Sequence, residues 1–267
     1  MLIKDVQSQK DLRNIPIQKV GVKDVEIPLK IQRKPIGDEQ IELETVYAKV
    51  RMSVSLLSEF KGTHMSRFLE ILNKYKKESL DSNDIERVLF DMKNKLNARC
   101  AYLKFDFKYF IKKTAPISRI RFLMCYDCAF EGEADENDNY KFYLIAKVPI
   151  TTLCPCSKEI SDFGAHNQRA VLKVKIGYDL KKQIWLEDLI KTAEECASCE
   201  IFPLLKREDE KYVTEYAYKN PKFVEDVIRD IVSKLDENKI INFWEVETEA
   251  FESIHNHNAW AYQKCSR

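Results

Sequence analysis

The sequence predicts an α+β protein of two successive β-β-α-α-β-β modules, with antiparallel sheets and helices on one face. Two periodicities and their order support this. Apolar and polar residues alternate over Ala48–Leu56 and Leu103–Ile111, as in strands with one buried face. Apolar residues recur at helical spacing in Met65, Phe68, Leu69 and Leu72, then in Ile85, Val88, Leu89, Met92 and Leu96. The same succession returns in the second half. The 267 residues are therefore read as one bimodular domain over 1–267, with module one at about 20–135 and module two at about 136–267.

Residues 1–20 are polar with scattered apolar positions and read as an irregular arm. Val22–Ile31 reads as the first strand. In the second, Ala48, Val50, Met52, Val54 and Leu56 oppose Lys49, Arg51, Ser53 and Ser55. SEFKGTHMSR then reads as a loop leading into the two amphipathic helices, the second capped by Ser82 or Asp84. Leu103, Phe105, Phe107, Tyr109 and Ile111 define the third strand, and SRIRFLMCYDCAFEGEA the fourth. In module two, residues 139–150 and RAVLKVKIGY read as strands. Leu186, Leu189, Ile190 and Ala193 mark one helix; Val224, Val227, Ile228, Ile231 and Leu235 mark another. KREDEKYVTEYAYKNPKFVEDVIRD reads as a charged connection ahead of a helix, and residues 240–251 and 259–264 as closing strands.

Lys and Arg total 44 and Asp and Glu 43, so the net charge of +1 argues against a general nucleic-acid or membrane-surface binder. No apolar run approaches the roughly 20 residues of a membrane span, and MLIKDVQSQKDLRN lacks a signal-peptide core. A cytoplasmic location is expected, with the eight cysteines as thiols, metal ligands or buried small residues. With six glycines, the chain has neither a GxGxxG nor a GxxxxGK[ST] phosphate loop.

The unusual polar residues gather in TTLCPCSKEISDFGAHNQR, residues 151–169. Cys154 and Cys156 flank a proline, and His166 follows at a spacing that suits zinc or another divalent ion. No compact set of four ligands appears, which favours an open, catalytic site. His255 and His257 form HNH beside FESI and AWAY, which read as buried; in a strand the two imidazoles would share a face. CYDC reads as strand and CASC as helix, their cysteines as buried small residues. No His-x-Glu precedes a Pro-Cys-x-x-Cys, which excludes the zinc nucleobase deaminases. From periodicity alone, Glu225 is an exposed first-turn acid favoured by the helix dipole.

VPITTLCPCSKEISDFGAHNQR, KGTHMSR, LLKREDEKYVTE, NPKFVEDVIRD and FESIHNHNA together closely resemble the type IB class of GTP cyclohydrolase I. The likeness runs from DVQSQKDLRNIPI almost to the last residue. It implies the tunnelling fold, with two β-β-α-α-β-β modules per subunit and a homotetramer around a central barrel. It also implies hydrolysis of GTP to 7,8-dihydroneopterin triphosphate and formate, the first step toward tetrahydrofolate. On the matching positions, Cys154, His166 and Glu210 are metal ligands, Glu225 anchors guanine, and His255 and His257 lie in the active site. Cys154 thereby counts among the catalytic residues; Cys156 lies close by with no role assigned.

In the chemistry so implied, one divalent metal (zinc, manganese or iron(II)) activates a water that attacks carbon 8 of guanine. The histidines act as acid and base. Lys61, His64 and Arg67 are candidates for the triphosphate, with Lys112 and Lys113 behind them. The expected partners are GTP and further copies of the chain, with no nucleic acid and no membrane. Two rival readings remain: a zinc-stabilised binding module, and the archaeal-type cyclohydrolase with a cyclic-phosphate product.

Overall fold

The computed structural model describes Gln7 and residues 9–35, 40–75 and 79–267. Residues 1–6 and 8 of the expected irregular arm lie outside this set. The first elements are β1 (Ile17–Gln32), β2 (Leu43–Leu56), α1 (Met65–Tyr75), α2 (Ser82–Leu96), β3 (Ala101–Thr114) and β4 (Arg121–Ala134). Then come β5 (Tyr140–Leu153), α3 (Pro155–Ile160), β6 (Asn167–Tyr178), α4 (Leu186–Glu194) and β7 (Cys199–Glu200). The chain ends with α5 (Arg207–Lys219), α6 (Val224–Glu237), β8 (Ile241–Ala250) and β9 (Ala259–Ser266). It forms two compact units: Met1–Phe107 with Ala129–Tyr143, and Lys108–Cys128 with Leu144–Arg267.

In the first unit β1 pairs antiparallel with β2, and β2 with β3 from Ala48↔Phe107 to Val54↔Ala101. The alternation read from the sequence is the alternation of burial: Ala48, Val50, Met52, Val54, Leu103, Phe105 and Phe107 are all buried. Helix α1 buries Phe68, Ile71, Leu72 and Tyr75; α2 buries Ile85, Val88, Leu89, Met92 and Leu96. Each fully buried side chain of this size contributes about 1.5–3 kcal/mol. Ile85 packs so closely on Gly132 of β4 that a Cβ there would sit 2.5 Å from Ile85 Cγ2. The α2 cap is Asp81, neither of the expected Ser82 and Asp84: its carboxylate accepts from Asp84 N, and Asp84 closes a capping box.

In the second unit β6 and β8 pair antiparallel from Ala170↔Ala250 to Tyr178↔Ile241, and β8 pairs with β9. Short β7 pairs with β5 at Ile150↔Glu200 and Thr151↔Cys199. Helices α4 and α6 bury the stripes foreseen for them. Several expectations fail here; Cys125 of CYDC, for instance, is exposed, not buried. The charged connection is largely helix α5, which buries only Asp209 and Ala217 and so shows no apolar stripe. CASC is not helical: α4 stops at Glu194 and Cys199 lies in β7, although both cysteines are buried. FESI and AWAY are not core, since Phe251, Ile254 and Trp260 are exposed. Among the described residues no helix is long and apolar enough to cross a membrane.

Candidate active site

Strand β5 ends at Leu153, and Cys154 caps the short helix α3. Pro155 opens that helix, where its fixed φ fits and its missing N–H is no loss. The Cys154 sulfur accepts the Ser157 N–H at 3.3 Å. Gly164 then takes φ 72°, a left-handed turn that strains any residue with a Cβ by about 1–2 kcal/mol. That turn brings the chain back: Cys154 N donates to His166 O at 3.1 Å. Ser157 Oγ accepts from His166 N at 3.2 Å and donates to Cys154 O at 3.1 Å. The two residues singled out by spacing are thus clasped together at the backbone.

The His166 ring is held by a side-chain partner at Nδ1. Gln168, two residues on and buried, turns its amide nitrogen to Thr152 Oγ1 at 3.0 Å. Its carbonyl oxygen therefore faces His166 Nδ1, also at 3.0 Å. A proton on Nδ1 would be accepted there and would leave the Nε2 lone pair free, the arrangement that metal-binding histidines use. The Glu252 carboxylate lies 3.8 Å from the same Nδ1. Gln168, Thr152 and Glu252 were not foreseen.

Glu210 sits exposed in the first turn of α5. One turn further along, Val213 packs with Ala217 and Ala165 onto a small core that includes Leu153 and Cys199. Leu153 and Ala165 immediately precede Cys154 and His166, so α5 runs beside both. Among the described residues no three His, Cys, Asp or Glu side chains are gathered closely enough to hold one ion. By their chemistry a cysteine, a histidine and a glutamate suit a divalent metal.

Neighbouring Asp209 is fully buried and accepts four hydrogen bonds. Burial works to raise its carboxyl; those bonds prevail and leave it far below the usual carboxylate range.

Lys222 N donates to Leu153 O at 3.0 Å, which ties the approach to α6 to the residue before Cys154. Glu225 follows, itself exposed, in the first turn of α6. Because β8 runs antiparallel to β6, Phe251 N donates to Arg169 O at 2.9 Å. The 251–258 loop therefore leaves the sheet at the end where His166 enters it. His255 and His257 lie on that loop, not in a strand; their rings stack 5.0 Å apart at 12°.

Lys61, His64 and Arg67 belong to the first unit, and Arg67 Nη1 donates to Lys95 O at 3.1 Å. Lys113 is not available for phosphate. Its ammonium is buried, bonded to Glu194 at 2.8 Å and to Glu200, and lies over the Phe202 ring. Tyr126 donates to the same Glu194 oxygen at 2.7 Å.

A model of the type I GTP cyclohydrolase FolE2 family matches residues 3–261. GTP cyclohydrolase FolE2 of Thermosipho africanus (strain TCF52B) is 48% identical over 259 residues, covering 97% of this chain and 96% of that one. The FolE2 protein of Geobacter sp. (strain M21) is 49% identical over 266 residues, covering 99% and 96%. Among solved structures, uricase from Arthrobacter globiformis superposes with a TM-score of 0.53 at 4% identity, covering 94% of this chain and 93% of that one. A hyperthermostable mutant of Bacillus sp. TB-90 urate oxidase gives 0.51 at 11% identity, covering 94% and 99%. At such identities the urate oxidases share the fold alone, an antiparallel sheet with helices. Matched over nearly its whole length, the chain belongs to the type I GTP cyclohydrolase FolE2 family.

Proposed function

We propose that this protein hydrolyses GTP to 7,8-dihydroneopterin triphosphate and formate, opening tetrahydrofolate biosynthesis, as a cytoplasmic homotetramer. Family membership supports the activity. The observation that favours this site is the gathering of Cys154, His166, the α5 face bearing Glu210, the start of α6 and the HNH loop around the ends of β5, β6 and β8.

Cys154, His166 and Glu210 would hold one divalent metal, and zinc, manganese and iron(II) all accept such donors. When bound, the metal supplies Lewis-acid activation of water near neutral pH. The remaining tasks fall to side chains. Glu225 accepts the ring N–H and the exocyclic amino group of guanine and so orients the base. His255 and His257, side by side, exchange protons with the ring nitrogen that departs when the imidazole opens. Lys61, His64 and Arg67 of a neighbouring subunit pair with the triphosphate, Arg67 through the guanidinium donors that Lys95 leaves unused.

Incubation with GTP and each of the three metals, followed by mass spectrometry, tests the reading. It expects dihydroneopterin triphosphate and formate. A cyclic-phosphate product, or GTP left intact with every metal, overturns it.

A further inference from the structure

We propose that Asp209 is a positioning residue: it docks the first turn of α5 so that Glu210 approaches Cys154 and His166 correctly. The proposal rests on Glu210 being the third metal donor.

Three consecutive acids, Glu208, Asp209 and Glu210, open α5. Asp209 is the one turned inward, at 0% exposure. Its Oδ1 accepts from Ile117 N at 2.8 Å and Ser118 N at 2.9 Å. Its Oδ2 accepts from Ser118 Oγ at 2.6 Å and Lys206 N at 2.9 Å. Both oxygens are saturated, so Asp209 is not itself a donor to a metal. The turn it grips joins β3 to β4 and is closed by Ala115 N donating to Ile120 O at 2.8 Å.

Consecutive helical residues point about 100° apart. With Asp209 locked inward, the azimuth of Glu210 is set, one turn before Val213, which packs beside the residues preceding Cys154 and His166. The far end of α5 has other anchors: buried Ala217, Lys158 Nζ donating to Tyr218 O at 2.6 Å, and Asn220 Nδ2 donating to Ala197 O at 2.9 Å. In the first turn Asp209 is the buried residue. Loss of its bonds loosens the turn bearing Glu210 and leaves the Cys154–His166 clasp intact.

The test measures cobalt(II) binding to the full-length protein by its visible spectrum. Asp209→Asn keeps the size and the Oδ1 acceptor toward Ile117 N and Ser118 N, and loses the Oδ2 acceptor toward Ser118 Oγ and Lys206 N. We expect the Cys154 thiolate-to-cobalt absorption to persist while binding weakens about 10–100-fold. Glu210→Gln alone should also weaken binding, and the double variant should bind no more weakly than Glu210→Gln, because Asp209 acts through Glu210. If the two losses add in full, Asp209 acts through its charge or through general stability, and the proposal fails. It fails too if Asp209→Asn binds cobalt within about twofold of wild type. If Glu210→Gln leaves binding unchanged, Glu210 is not a ligand and the underlying reading falls as well, a result distinct from the other two. Ser118→Ala, which deletes one donor, provides the same cycle should Asp209→Asn not fold: a smaller loss that vanishes in the Glu210→Gln background supports the proposal, and no loss overturns it.

Discussion

Replacing Gln168 by leucine separates two roles of one buried side chain. Gln168 holds Thr152 Oγ1 and His166 Nδ1, each at 3.0 Å, while Thr152 itself is 1% exposed. For stability the terms oppose. A buried hydroxyl that loses its donor costs about 1–3 kcal/mol, and a buried leucine returns about 1.5–3 kcal/mol. Net stability should change by no more than about 2 kcal/mol in either direction. Metal affinity has no such compensation. The imidazole is freed to rotate and to carry its proton on either nitrogen, and outer-shell losses of this kind weaken binding about 10–100-fold. Competition of zinc against a chromophoric chelator, with urea unfolding of the apo protein alongside, measures both quantities. Gln168→Glu is the control, since its carboxylate still accepts from Nδ1 and the Thr152 hydroxyl can turn to donate. The reasoning is refuted if Gln168→Leu binds zinc as wild type does, or if Gln168→Glu is as weak as the leucine variant.

His255→Ala and His257→Ala should keep bound metal and lose about 10²–10⁴-fold in turnover; an unchanged pH–rate profile in both would remove them from proton transfer. Glu225→Gln sets a donor against a donor of guanine and should weaken GTP binding by about 1–3 kcal/mol. Inosine triphosphate, lacking the amino group, should lose less, and equal losses for the two nucleotides would contradict the anchor. Lys113→Met strands Glu194, since the pair is only 8% and 10% exposed, and breaking such a pair costs about 3–5 kcal/mol. Burial already raises the Glu194 carboxyl above its ordinary value, with Lys113 the main counterweight, so the variant's folded form should favour the protonated acid still more. A raised acid stabilises the fold below its unfolded pKa and loses that contribution as pH rises through the folded one. The deficit in urea unfolding should therefore be largest at neutral pH and shrink toward about pH 5; a pH-independent deficit would show that the charge is not its source.

What could be read ahead of the structure followed burial. Strands such as β2 and helices such as α2 pack one face, and their periods show it. Helix α5 packs almost nothing apolar, so its helicity rests on its cap, its first-turn acids and Lys219 in its last turn. The inward series of β3 runs Leu103, Phe105, Phe107, Tyr109, Ile111 and reaches Lys113; carried one step further, it would have marked that lysine as buried. Cys154 and His166 were legible because their spacing is short and a single loop closes it. Which of three adjacent acids turns inward was not, because all are alike in chemistry and only the Ile117–Ser118 turn distinguishes Asp209. The HNH pair was found by composition, but a loop, not strand alternation, brings its rings together.

The central claim is that the Cys154–His166 centre opens the guanine ring at carbon 8. GTP labelled with carbon-13 at that atom, followed by NMR in the presence of metal, tests it directly. The account predicts that wild-type protein releases the label as formate at the rate at which GTP disappears, and that folded Cys154→Ala releases none. Label retained in the purine while GTP is consumed, or labelled formate from Cys154→Ala at the wild-type rate, would contradict it.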